Sequence, residues 1–186
     1  MEKIRTMNNL AYIRGVMDGD GCVEQRKKSV TLRVIVTSHN FATAIFNAFI
    51  DIGLAPSCSE RDQISSYNGY TWSNHLYDVK ANCKEPCGLL QLIAQLDVTS
   101  SSNKLDYLIG FFQAEGCFRI QKYPNRECWM WQITNKDLSK LHAVQSILAS
   151  LGIKSGIITK KDGISMLYVQ RRTDIMKLLE LGVAKK

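Results

Sequence analysis

Two stretches of this chain, about 95 residues apart, carry the same pattern. Residues 10–23 read LAYIRGVMDGDGCV and residues 105–118 read LDYLIGFFQAEGCF. Each is an apolar run of helical period that carries a Gly, then a small residue, then one acid followed by Gly. A repeat of this kind implies two copies of one supersecondary unit, neither able to bury its apolar face alone. Asp20 and Glu115 hold equivalent places, so a two-fold arrangement of the copies would bring the two carboxylates together.

In the first run Ala11, Gly15 and Gly19 recur every four residues; in the second, Gly110 and Ala114 do the same. Side chains at that spacing share one helix face, and small ones let two backbones approach closely. Gly inside a helix costs about 0.8–1.0 kcal/mol relative to Ala, so matched glycines at 15 and 110 need a packing reason. Mutual contact along a pseudo-two-fold axis supplies one. Both acids follow the C-terminal ends of these helices, where the macrodipole already disfavours negative charge. Two carboxylates held close together there also repel each other. A divalent cation relieves both penalties. Its ligands would be the carboxylates of Asp20 and Glu115 with main-chain carbonyls of the preceding Gly19 and Ala114, oxygen ligation of the magnesium type.

After each motif the helical period gives way to alternation. Segment 31–37 puts Leu32, Val34 and Val36 on one face and Thr31, Arg33, Ile35 and Thr37 on the other, as a half-buried strand does. Segment 22–28 reads as its hairpin partner. A helix capped by Asn40 and stopped at Gly53 follows, then strands near 57–63 and 75–80 separated by a polar loop over 65–69, then a helix opened by Pro86. The second copy runs in the same order: strands 117–123 and 128–134, a helix from Asp137 to Gly152, strands 156–159 and 164–170 about the Asp162-Gly163 turn, and a last helix. The expected fold class is α+β. It has two pseudo-symmetric αββαββα halves, 1–98 and 105–186, joined by a polar linker over 99–104.

Composition narrows the partners. The formal charge of +7 favours polyanions, nucleic acid above all. No apolar run approaches the ~18 residues of a membrane span, and the polar start is unlike a signal peptide. An intracellular protein with no membrane partner is expected, its six cysteines being buried thiols. The pair Cys83 and Cys87 has a zinc-like spacing, but no second Cys/His pair stands at a matching distance.

Segments 13–21 and 108–116 resemble the paired motifs of LAGLIDADG homing endonucleases, and the order of elements in both halves is similar too. The resemblance covers almost the whole chain. The second copy departs from the pattern at Gln113, where the first has Asp18. The resemblance implies that Asp20 and Glu115 bind metal, Mg²⁺ with Mn²⁺ as a substitute, and that the motif helices meet at the interface of the halves. It implies a saddle of antiparallel sheets whose outward faces meet double-stranded DNA. Counting in twos along the strands, those faces would carry Glu24, Arg26, Lys28, Thr31 and Arg33 in the first half. In the second they would carry Arg119, Gln121, Tyr123 and Gln132, with Arg61, Gln63, Tyr77, Lys160 and Lys161 added by the second hairpins. Arg and Gln are side chains that read G and A edges in the major groove. A seven-residue strand spans roughly 23 Å, about seven base pairs per half at ~3.4 Å each.

The implied reaction is metal-assisted hydrolysis of one phosphodiester per strand at a long, pseudo-palindromic site, leaving short 3′ overhangs. By resemblance, Ser38 and Asn135 would order water at the ends of the second strands, and Lys104 with Lys185 or Lys186 would neutralise the transition state. Two other roles fit the same fold: an intron maturase bound to structured RNA, and a non-catalytic DNA-binding regulator. A monomer is expected, since one chain carries both motifs.

Overall fold

The computed structural model describes residues 7–26, 29–83 and 87–183. In chain order the elements are α1 (Asn9–Gly19), β1 (Gly21–Arg26), β2 (Ser29–Val36), α2 (His39–Asp51), β3 (Pro56–Tyr67), β4 (Tyr70–Cys83) and α3 (Cys87–Gln95). The second series is α4 (Lys104–Glu115), β5 (Gly116–Tyr123), β6 (Arg126–Asn135), α5 (Leu138–Ser150), β7 (Gly156–Thr159), β8 (Ser165–Val169) and α6 (Arg172–Glu180). The order αββαββα thus occurs twice. Two antiparallel four-stranded sheets result, ordered β1-β2-β4-β3 and β5-β6-β8-β7.

The chain forms two compact units, and they do not coincide with the sequence halves 1–98 and 105–186. One is Asp20–Gln95; the other joins Met1–Gly19 to Leu96–Lys186. The reason is the packing of α1 on α4. A methyl group added at Gly15 would strike the carbonyl of Tyr107 and come within 2.7 Å of the Phe111 nitrogen. One added at Gly110 would strike the carbonyl of Tyr12 and come within 3.1 Å of the Val16 nitrogen. The two glycines are reciprocal, each giving its helix room for the other's backbone. Phenols tie the helices further along: Tyr107 Oη donates to Asp18 Oδ2 at 3.2 Å, and Tyr12 Oη to Gln113 Oε1 at 2.7 Å. At the other end Asn8 donates through its main-chain nitrogen to Asp106 (2.9 Å) and through its amide to Asn103 (2.8 Å). Below α4, Phe112 stacks on Trp131 with ring centroids 4.9 Å apart, and Leu141, Val144, Leu148, Leu167 and Ile175 complete that core.

In the Asp20–Gln95 unit the covered sheet face carries Leu32, Val34, Val36, Val79 and Ala81. Helix α2 buries Ala42, Ile45, Ala48 and Phe49, burial worth roughly 1.5–3 kcal/mol for each large side chain.

Three local expectations are corrected. Helix α2 is capped by Ser38, whose Oγ accepts from the Phe41 nitrogen at 3.4 Å, and not by Asn40, which lies within its first turn. The polar stretch 65–69 is not a loop. Ser65 and Ser66 pair with Trp72 and Thr71, and only Asn68-Gly69 turns, both at positive φ (49° and 81°). Asn-Gly is the strongest two-residue hairpin turn, so it outweighs the low strand propensity of the serines before it. The cysteines are not buried as expected: Cys22 and Cys117 are exposed at outward positions of their strands, and Cys58, on the same face as Val79, is exposed because β3 is the edge of its sheet. Pro86, Lys28, Lys185 and Lys186, and the side chain of Arg26, lie outside the described residues. No helix among the described residues is long and apolar enough to cross a membrane.

Candidate functional site

Glu115 ends α4, and Gly116 starts β5 with extended backbone (φ −86°, ψ 155°), so the carboxylate stands where helix becomes strand. Strand β6 runs antiparallel to β5 and delivers Asn135 to the same place. Its Nδ2 donates to Glu115 Oε1 at 3.1 Å, while its Oδ1 accepts from the Asp137 nitrogen at 2.8 Å. The second bond fixes which way the amide points, so Asn135 offers Glu115 a donor. The chain then turns into α5, capped by Asp137, and Lys140 comes back from the first turn of that helix. Its ammonium donates to the main-chain carbonyl of Asp18 at 2.6 Å and lies 3.6 Å from Asp18 Oδ1. Asp18 also accepts from Arg14 Nε at 2.7 Å. An open cleft of about 390 Å³ results, lined by Asp18, Gly19, Glu115, Thr134, Asn135, Lys136, Lys140 and Ile164.

The possible metal ligands in this cleft are carboxylate, hydroxyl and main-chain oxygens, with neither thiol nor imidazole. Among the described residues no three His, Cys, Asp or Glu side chains converge as a ready-made metal cage. Such an oxygen-only set suits a hard divalent cation that keeps part of its own water. Gly19 packs tightly here: a methyl group at that position would meet Ala114 Cβ at 2.5 Å and Glu115 Cγ at 3.0 Å. Asp20 is the next residue in the chain and opens the other unit, where it is exposed.

The remaining expected site residues scatter. Ser38 is the cap of α2 and corresponds in place to Asp137, not to Asn135. Lys104 opens α4 and donates to Ser150 Oγ at 3.1 Å. It sits at the far end of the helix from Glu115, roughly 16 Å away at 1.5 Å per residue. Sequence reasoning missed Lys136 and Lys140. Their spacing around the cap Asp137 is visible in the chain, but the return of α5 to the end of α4 is a tertiary event.

On the Asp20–Gln95 sheet, Glu24, Thr31, Arg33, Arg61 and Gln63 share the open face, as their pairings require. Arg33 is not a free reader of bases. Its Nε and Nη2 donate to Asp78 at 2.9 and 2.7 Å and its Nη1 to Glu24 at 3.0 Å, while Lys80 lies 3.0 Å from Asp78. The Arg33 guanidinium holds the nearly buried Asp78 carboxyl below its ordinary range. Thr31 is buried, donating to Asn82 Oδ1 at 2.7 Å. Tyr77 pairs with Val36 and so belongs to the covered face, where its ring meets His39 and His75 edge-on. The outward residues of β4 are Leu76, Asp78 and Lys80, so Tyr77 is not part of the open face expected of it.

On the other sheet Arg119, Gln121, Tyr123 and Gln132 lie on one open face, joined by Met130, Arg126 and Tyr168. Arg126 stands 5.5 Å over the Tyr123 ring, and Lys160 and Lys161 are exposed at the β7–β8 turn.

Residues 102–181 match the family described as the LAGLIDADG-like domain, and residues 9–68 match the WhiA LAGLIDADG-like domain. The N-terminal LAGLIDADG domain of DUF199/WhiA is similar with a TM-score of 0.66 at 16% identity, over 96% of this chain and 82% of that one. The homing endonuclease I-DmoI, solved as mesophilic variants, gives 0.63 at 17% identity over 96% of both chains. The chain has the LAGLIDADG fold. Full-length DUF199/WhiA from Thermatoga maritima gives 0.67 at 13% identity, and there this chain spans 56% of the longer protein. I-DmoI in complex with DNA and Mn gives 0.63 at 16% identity, over 96% of this chain and 97% of that one. By sequence no curated protein matches.

Proposed function

We propose that this LAGLIDADG protein is a site-specific, divalent-metal-dependent endonuclease acting on double-stranded DNA as a monomer. The observation that carries the reading is the Glu115 cleft: an acid at the end of a motif helix, oriented by Asn135 and edged by Lys136 and Lys140. Support comes also from the retention of an acid in both motifs and from the similarity to I-DmoI, a homing endonuclease solved with DNA and Mn. Asp20 and Glu115, with the carbonyls of Gly19 and Ala114, are the proposed holders of the cation. When bound, that cation supplies Lewis-acid polarisation of the phosphate and lowers the pKa of a water.

The chain's own residues do the rest. Glu115 accepts from Asn135 and so holds one rotamer as the phosphate arrives. Lys136 and Lys140 place positive charge beside the oxygens that gain charge in the transition state. The open sheet faces, with Arg61, Gln63, Arg119, Gln121, Tyr123 and Gln132, are the proposed base-reading surface, set against phosphate contacts by Lys160 and Lys161.

The test is recovery of cut molecules from a randomised duplex library with Mg²⁺. A discrete target cut on both strands is the expected product, and random or absent cutting would refute the reading. A non-catalytic DNA-binding protein is the second reading, favoured by the match of residues 9–68 to the WhiA domain. It predicts tight, sequence-selective binding from the same library and no cut ends at any metal concentration.

A further inference from the structure

The two second hairpins end differently. In the β7–β8 hairpin Ser165 pairs both with Thr159 and with Asn135 of β6, so the hairpin stops where its sheet stops, and its turn presents Lys160 and Lys161. The β3–β4 hairpin runs on. Strand β2 pairs with β4 no further than Tyr77, and seven more β3–β4 pairs follow, from Arg61 with Leu76 to Tyr67 with Tyr70. At ~3.3 Å per residue they make a two-stranded arm of roughly 23 Å, with no third strand among the described residues. A lone two-stranded ribbon is marginal in water, and free strand edges are ordinarily guarded by charge or proline. Beyond its base this arm has neither guard: residues 63–76 contain no Lys, Arg, Asp, Glu or Pro. It instead exposes Ile64, Tyr70 and Trp72, at 73%, 78% and 45%. Such a surface is built to be covered.

The strand register points to what covers it. Gln63 stands opposite Asn74 and Ser65 opposite Trp72, on the face that Arg61 shares with Arg33 and Lys80. Tyr70, two residues before Trp72, lies on that face too. The arm therefore continues the open sheet face, and a two-stranded ribbon is of a size that the major groove admits. With no cation beyond Arg61, the arm can neither grip phosphates nor set an Arg fork on guanine. Its side chains match the other base pair. Gln and Asn bond N6 and N7 of adenine, and an apolar side chain packs on the C5-methyl of thymine.

We propose that the β3–β4 arm is an A·T-selective reader, in which Gln63 and Asn74 take adenine edges while Trp72 and Tyr70 pack on thymine methyl groups. The proposal rests on the DNA-binding part of the reading above and adds which base pairs one hairpin selects, and by which atoms. No phosphate is involved, so the arm's contribution is independent of salt, unlike that of Lys160 and Lys161.

Affinity for a library-selected duplex, measured without divalent cation so that nothing is cut, tests this. A·T pairs should fill one stretch of one half-site. Deoxyuridine in place of thymidine there removes only the methyl and should weaken binding about 4-fold for each methyl contacted. Replacing adenine by 7-deaza-adenine, which lacks the N7 acceptor, should weaken it about 5-fold. The Tyr70→Ser/Trp72→Ser variant should bind the thymine and uracil duplexes equally, with the slope of affinity against salt unchanged. The base substitutions leave the protein untouched, so their result stands even where the variant's arm is disordered. A wild type that binds thymine and uracil duplexes alike throughout the site would overturn the proposal and leave the endonuclease reading standing. A variant that keeps both wild-type affinity and the thymine preference would also overturn it, and would leave the aromatic tip to a protein partner. A protein that selects no duplex at all would end both.

Discussion

Gln113 stands where the first motif has Asp18, and the two buried phenols account for the exchange. Tyr107 donates to Asp18 and Tyr12 to Gln113, in matching places across the α1–α4 contact. Burial pushes both phenols far above their ordinary pKa, so each remains a donor at any physiological pH. The carboxylate of Asp18 carries a charge, met by Arg14 and approached by Lys140; the position matching Arg14 in the second motif is Ile109. A neutral amide therefore suits a place where the matching neighbour, Ile109, is apolar, while keeping the acceptor the tyrosine needs. Tyr107→Phe removes a bond to a charged acceptor and should cost about 1.5–3 kcal/mol, and Tyr12→Phe about 0.5–1.5 kcal/mol. Urea denaturation of the two variants checks the ranking, and equal losses would contradict the charge argument.

At the scale of elements, close approach of α1 and α4 sets the unit boundary. Gly110→Ala should destabilise by about 1–3 kcal/mol or more through overpacking against the Tyr12 carbonyl. That outweighs the ~1 kcal/mol by which Ala favours a helix over Gly. A gain in the urea midpoint would mean the helices are free to part. The β3–β4 hairpin gives a pH prediction. His75 has Nδ1 2.8 Å from Asp62 and Nε2 3.2 Å from Glu60, and these partners, Asp62 first, raise its pKa. A raised folded-state pKa means the interaction contributes fully below the unfolded value of about 6.5 and is lost as pH rises through the folded one. Protection factors of amides in strands β3 and β4, taken relative to intrinsic exchange at each pH, should therefore fall from pH 5.5 to pH 8.5, and His75→Gln should remove that fall. An unchanged pH dependence in that variant would place the titration elsewhere.

For the molecule as a whole, what could be read from sequence is what local chemistry fixes. The order of elements followed from caps and stops such as Asp137, Gly53, Gly152 and the Asp162-Gly163 turn, and each stands where expected. The twin glycines gave the helix contact because only backbone approach explains a glycine at both places. Lys140 beside Asp18 and Asp78 beneath Arg33 were not legible, since they join residues 122 and 45 positions apart. Pattern cannot see such pairs. The central claim is that the two motif acids make this fold a nuclease. Single-turnover cleavage of a library-selected duplex by the wild type and by the Asp20→Asn/Glu115→Gln variant, with affinity measured alongside, tests it most directly. Cutting with Mg²⁺ that vanishes in the variant while affinity holds is the predicted result. Cutting that persists in the variant, or a wild type that binds the duplex and never cuts it, would contradict it.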